Sequence, residues 1–103
     1  MIKGTTPTLH FVLPIETATL KSAEVMVQYV DNCKEITIIK TLDECDVGDH
    51  TISARLTQEE TLQLPAPTTV TVQLRVLTEE DVALATEIQK VSVKRLLKED
   101  VIE

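Results

Sequence analysis

Val70, Val72, Leu74 and Val76 alternate with Thr69, Thr71, Gln73 and Arg75. Such a segment has one oily side only if successive side chains point in opposite directions, which is the geometry of a β-strand and not of a helix. The same two-residue period recurs as Leu9, Phe11 and Leu13, as Ala23, Val25, Val27 and Tyr29, and as Ile52, Ala54 and Leu56. Composition points the same way: Thr, Val and Ile supply 35 of the 103 residues, against two glycines. Their branched Cβ atoms restrict χ1 and suit a pleated, half-buried surface. Ile36–Ile39 is apolar on both sides, which predicts a strand nearer the centre of its sheet.

Turn-forming residues separate these runs: Pro14, Asp31-Asn32, the Asp43–His50 stretch with Gly48-Asp49, and Pro65-Ala66-Pro67. Thr57-Gln58-Glu59-Glu60 has the form of a capping box and predicts one helical turn near Thr57–Thr61. Residues 79–95 admit two readings. Thr78-Glu79-Glu80-Asp81 resembles a helix start and Leu84, Ile88 and Val91 fall at helical spacing. The alternation of Val91-Ser92-Val93 favours instead a hairpin turning through Glu79-Glu80-Asp81, with one bulge absorbing the phase slip between Ile88 and Val91. Six to eight short strands at intervals of about ten residues match an all-β, two-layer antiparallel sandwich, with residues 1–103 forming one domain. The inter-sheet disulfide and buried Trp of antibody domains are missing, so the likeness is to the Ig-like architecture rather than to antibodies.

Charge excludes some functions. Acidic side chains outnumber basic ones 17 to 10, a formal charge of −7, and the one basic spot, Lys94-Arg95 with Lys98, is too small to neutralise a phosphate backbone, so no nucleic-acid partner is expected. One Phe, one Tyr and no Trp leave no platform for stacking bases or sugars. No apolar run approaches the length that spans a bilayer, so no membrane partner is expected. Residues 1–7 carry neither the apolar run nor the cleavage site of a secretory leader, which predicts a cytoplasmic location on synthesis. Cys33 and Cys45 flank the apolar segment Glu35–Leu42. An extended segment of that length separates its ends by roughly 23 Å at ~3.3 Å per residue, too far for a disulfide. Both are expected to be free thiols, buried or half-buried.

Few residues suggest chemistry, and no cofactor is expected. The serines Ser22, Ser53 and Ser92 lack the glycine-flanked elbow of a nucleophile, and Gly4 and Gly48 are too isolated to cradle phosphate. Cys45 and His50 would need an orienting group and an oxyanion hole to act as a nucleophilic pair. The loop Asp43–Asp49 holds four carboxylates, but counted from Asp43 it places Cys45, Val47 and Ala54 where a calcium loop needs oxygen ligands. Asp43, Asp46 and Asp49 therefore remain candidates only for an irregular cation site, with His50 beside them. Leu96, Leu97, Val101 and Ile102 are apolar in a terminal segment, and either pack on their own sandwich or dock on another subunit.

Three segments carry a resemblance. Gly4-Thr5-Thr6-Pro7-Thr8 leads into the first strand, Leu56-Thr57-Gln58-Glu59-Glu60-Thr61-Leu62 forms a mid-chain turn, and Val72-Gln73-Leu74-Arg75-Val76-Leu77-Thr78 follows. Together they resemble small phage and prophage proteins of Gram-positive bacteria, similar in layout to the Ig-like N-terminal domain of siphophage upper baseplate proteins. The resemblance implies a hairpin over residues 79–95. It also implies a non-catalytic structural module of a tail or baseplate, whose partners are other phage structural proteins or itself, made in the host cytoplasm and carried in the virion once assembled. The competing expectation is a cytosolic module that binds a small ligand or divalent cation at Asp43, Asp46, Asp49 and His50.

Overall fold

The computed structural model describes residues 1–103. It contains eight strands and one short helix: β1 (Thr8–Val12), β2 (Leu20–Val30), β3 (Glu35–Thr41), β4 (Asp46–Val47), β5 (Thr51–Arg55), α1 (Gln58–Leu62), β6 (Thr68–Thr78), β7 (Ala83–Ala85) and β8 (Gln89–Val93). The strands form two antiparallel sheets, one ordered β1-β5-β4 and the other β3-β2-β6, with β7 and β8 both pairing the far side of β6. The chain is an all-β sandwich.

Each alternating run buries the side its period predicts. Phe11, Ile52, Ala54 and Leu56 from the small sheet share one core with Val25, Val27, Val70, Val72 and Leu74 from the large one. That core is the driving force for bringing two polar-backed sheets together, because burial of apolar area is the dominant favourable term in folding.

Two extra residues keep the long strands in phase. Leu20 faces Thr78 while Ser22 faces Leu77, so β2 takes two steps against one on β6. This bulge lets Leu20 and Ala23, of opposite parity, both point inward. On the other side of β6, Arg75 faces Ala85 and Val72 faces Gln89, three steps against four. Residues 79–95 are therefore a hairpin carrying a one-residue bulge between β7 and β8. Thr86 holds the interruption together: its N–H donates to the Leu74 carbonyl at 2.9 Å, and its Oγ1 accepts from the Leu74 N–H at 3.0 Å. The hairpin turn places Asp81 at φ 62°, the left-handed conformation that closes a three-residue loop.

Two sequence expectations need correction. β3 is an edge strand, not a central one. Ile36 and Ile38 face the core, but Ile39 points outward beside Met26 and is 44% exposed, so two-sided apolarity here reflects a cross-strand contact on the outer surface. Cys33 lies exposed in the β2–β3 turn rather than buried, whereas Cys45 is half-buried, and both are free thiols.

The helical turn is built as the capping box predicts. Thr57 Oγ1 accepts from the Glu60 N–H at 3.1 Å, and Glu60 Oε1 accepts from the Thr57 N–H at 2.8 Å. A five-residue helix does not persist alone; Thr61, fully buried, donates to the Thr5 carbonyl at 2.8 Å and ties α1 to the segment entering β1. Lys40 supplies the second tie. It pairs with Val25 and so faces inward, reaching Glu60 Oε1 at 2.8 Å with only 12% of its side chain exposed. Burial pushes the Glu60 carboxyl upward, but the bonds from Lys40 and the Thr57 N–H outweigh it and hold the group below its ordinary value.

Lys40→Met is expected to cost about 1.5–3 kcal/mol, because it leaves a shielded carboxylate unpaired. Glu60→Gln in the same background should recover part of that loss, as read by urea unfolding in a double-mutant cycle.

Candidate functional site

The acidic loop is organised by its own backbone. Thr41 caps a 3-10 turn at Leu42–Glu44, with Glu44 Oε1 accepting from the Thr41 N–H at 3.1 Å and from Thr41 Oγ1 at 2.9 Å. Asp43 also accepts from the Thr41 hydroxyl. Gly48 donates to the Thr51 carbonyl at 3.0 Å, and the carbonyls of Gly48 and Asp49 accept from Thr17. No three His, Cys, Asp or Glu side chains come together in a metal-holding group, so Asp43, Asp46, Asp49 and His50 do not form a shared ligand set.

Cys45 and His50 are likewise engaged apart. Cys45 Sγ donates to the Thr41 carbonyl at 3.3 Å, and His50 Nδ1 donates to the Ile15 carbonyl at 3.0 Å. Burial, then the charge of Glu44, raises the Cys45 pKa, with Lys40 opposing. A nucleophilic thiol needs the reverse environment.

Register creates one constellation that no local motif announces. His10 opposes Ser53 across β1 and β5, and Ser53 opposes Asp46 across β5 and β4. The three form a row on the outer face of the small sheet, with His10 Nδ1 and Ser53 Oγ sharing a hydrogen bond of 2.7 Å. An acyl-transfer triad needs its histidine between the acid and the serine. Here the serine is in the middle. Asp46 stands two strand spacings from His10, roughly 9–10 Å, and cannot orient the imidazole.

The terminal segment divides between the two fates open to it. Leu96 is half-buried, its Cδ2 lying where a Cβ on Gly4 would fall, next to Leu62 of α1. The Gln58 side chain brackets Ile102 from both sides, donating to its carbonyl at 3.1 Å and accepting from its N–H at 2.8 Å. Lys3 and Glu99 form an ion pair across the same region. The Ile102 side chain nevertheless remains 79% exposed and that of Leu97 wholly so.

An open trough of about 830 Å³ lies where the large sheet outruns the small one. Ala23, Leu42, Val76 and Leu84 line it with the cross-strand pair Glu24 and Arg75. Both inner strands of the large sheet have eleven residues, whereas β1 and β5 have five. The trough follows from that mismatch; Lys21 and Asp43 also line it, so two basic and two acidic side chains stand around it, without a group of three acids that could hold a metal.

In the β2–β3 turn, Asp31 accepts from the Tyr29 hydroxyl and from the N–H groups of Cys33 and Lys34, each at 2.7 Å. The Tyr29 bond and the Cys33 N–H are the leading causes that lower the Asp31 pKa, while the bond to Asp31 raises that of Tyr29. The cluster is an Asx-type turn lock. No protein-family model, curated protein or solved structure matches the chain.

The sign of the linkage follows from those directions. A carboxyl lowered by folding contributes stability above its unfolded value, near 4, and loses it as pH falls through the lower folded value. In an NMR pH series Asp31 should therefore titrate below the ordinary value of an Asp and Glu60 below that of a Glu, and Asp31→Asn should flatten the acid limb of the stability profile. Calcium should leave the melting temperature unchanged, since the loop carboxylates do not converge; a rise of several degrees would contradict that geometry.

Proposed function

We propose that the chain is a non-catalytic assembly module: an Ig-like sandwich of a phage or prophage tail or baseplate that works through protein–protein contacts. Its partners are other phage structural proteins or further copies of itself. It acts in the host cytoplasm on synthesis and in the particle once assembled.

Strand order supports the Ig-like part of the reading. In that architecture strands B, E and D share one sheet, and C, F and G the other, with C′ added beside C. Assigning β1, β5 and β4 to B, E and D, and β3, β2, β6 and the β7–β8 strand to C′, C, F and G, reproduces every pairing found. The position of strand A beside β1 is vacant.

The observation that carries the functional part is where unsatisfied chemistry lies. Cys45, His50, Asp43 and Glu44 are spent on caps, turns and carbonyls. Backbone groups along the sheet edges are open, and such edges are completed by other chains. Leu97, Val101 and Ile102 offer a second apolar surface at the terminal segment.

Mass spectrometry of gradient-purified particles after prophage induction tests the reading. The chain is expected there in stoichiometric ratio to tail or baseplate subunits. Its confinement to the soluble host fraction would refute the assignment.

A further inference from the structure

Four sheet edges are open in this fold, and three carry the devices that keep an edge from pairing. β4 is only two residues long and begins with Asp46. β3 points the charged Lys40 inward and carries Glu35 at its start. The third of these edges is shared by β7, which has three residues with Asp81 and Glu87 close to either end, and β8, whose end is bonded by Met1 and Lys3. Short length, inward charge and flanking charge are recognised protections of an exposed edge.

β1 has none of these three, and the prolines that bracket it, Pro7 and Pro14, limit the length of its open edge without blocking it. Residues 4–15 contain no Asp, Glu, Lys or Arg, although 26% of the chain is charged. The other charge-free stretch of comparable length, residues 61–74, leads into β6, which is paired on both sides. β1 thus has the composition of a doubly paired strand but pairs β5 alone.

Backbone parity says which groups are free. Leu13 N–H donates to the His50 carbonyl at 2.6 Å and Leu56 N–H to the Pro7 carbonyl at 3.0 Å, so the odd residues of β1 bond β5. The N–H and C=O groups of Thr8, His10 and Val12 then face the open edge. Neither end of the described chain is placed to cover them. Met1 and Lys3 are bonded to the end of β8 through Ser92 and Lys94, and Ile102 is held by Gln58.

We propose that a second copy of this chain pairs with β1 in antiparallel register centred on His10. The proposal rests on the reading of sheet edges as the working surfaces. Three narrow pairs, Thr8 with Val12 twice and His10 with its own counterpart, would supply about six backbone bonds. On the inner face Leu9 would lie beside Phe11 of the other copy, extending both cores, and on the outer face Thr8 would lie beside Val12, now 72% exposed. Every row is self-complementary, and no carboxylate meets another, the condition a chain of charge −7 must satisfy to bind itself. Self-pairing through β7 fails it, because a register centred on Leu84 sets Asp81 against Glu87. Pro7 and Pro14 bracket β1 and end the ladder, closing the assembly at two copies. A ladder this short places the dimer among weak, reversible associations.

Sedimentation equilibrium at increasing concentration is expected to show a monomer–dimer equilibrium. His10→Lys sets two ammonium groups opposite each other and should weaken it about five- to tenfold. Mixing that variant with His10→Glu should restore association above that of either alone. Circular dichroism and melting curves establish that both variants are folded. Register is read separately in a Cys33→Ser/Cys45→Ser background. His10→Cys should form an intermolecular disulfide, the Cα atoms being about 5.5 Å apart in a narrow pair. Thr8→Cys, whose counterpart would lie roughly 14 Å away, should not. A wild-type monomer at every concentration, a dimer indifferent to the charge swap, or equal crosslinking at both positions would each overturn the proposal. None of these results depends on whether the chain is found in particles, so the dimer and the assignment to a tail stand or fall separately.

Discussion

In a two-layer sandwich a strand can hide only one of its two sides, and everything in this molecule depends on keeping the hidden sides in phase. Val25 and Val27 on β2 and Val70, Val72 and Leu74 on β6 meet Ile52, Ala54 and Leu56 from the small sheet. A slip of one residue anywhere would turn an entire row toward water. Along the eleven-residue strands the phase is reset by two bulges, one near Lys21 and one between β7 and β8, each inserting a single residue. The sandwich is therefore specified by alternation and by the places where alternation is broken.

The same economy explains the polar groups. Glu60 is at once the third member of a capping box and the partner of an inward-facing lysine, so one carboxylate orders a helical turn and fastens it to the sheet opposite. Asp31 accepts three bonds and locks the β2–β3 turn. Glu44 and Asp43 close a 3-10 turn on Thr41. Asp43, Glu44 and His50 are engaged by a neighbouring hydroxyl, N–H or carbonyl, and the carboxylates of the acidic loop do not converge on a shared point. What remains unspent is backbone: the edge of β1, and to a lesser degree those of β3 and β7.

Alternation made β1, β2, β5 and β6 legible, because a two-residue period is a local property that states directly which atoms leave water. The capping box at Thr57 was legible for the same reason, since both of its bonds span three residues. Residues 79–95 were not, because Leu84, Ile88 and Val91 satisfy a helical spacing and a bulged strand alike, and only pairing with β6 separates the two. β3 misled: Ile39 is apolar on account of Met26 on the neighbouring strand, a contact that no one-dimensional pattern contains. Cys33 misled in a simpler way, since its neighbours Asp31 and Lys34 define a turn that holds its backbone in water's reach.

The amino-acid sequence by itself determined that the chain is built of one-sided strands, where each run turns, and which side of each faces oil. These are short-range consequences of side-chain chemistry. Tertiary structure alone decided which strand lies beside which. It lined up His10, Ser53 and Asp46 in an order unsuited to catalysis, and it left a charge-free strand at an edge rather than inside a sheet. Strand neighbours are joined by backbone hydrogen bonds, which are the same for every residue, so their partners are chosen by the packing of the whole core and not by any segment read alone.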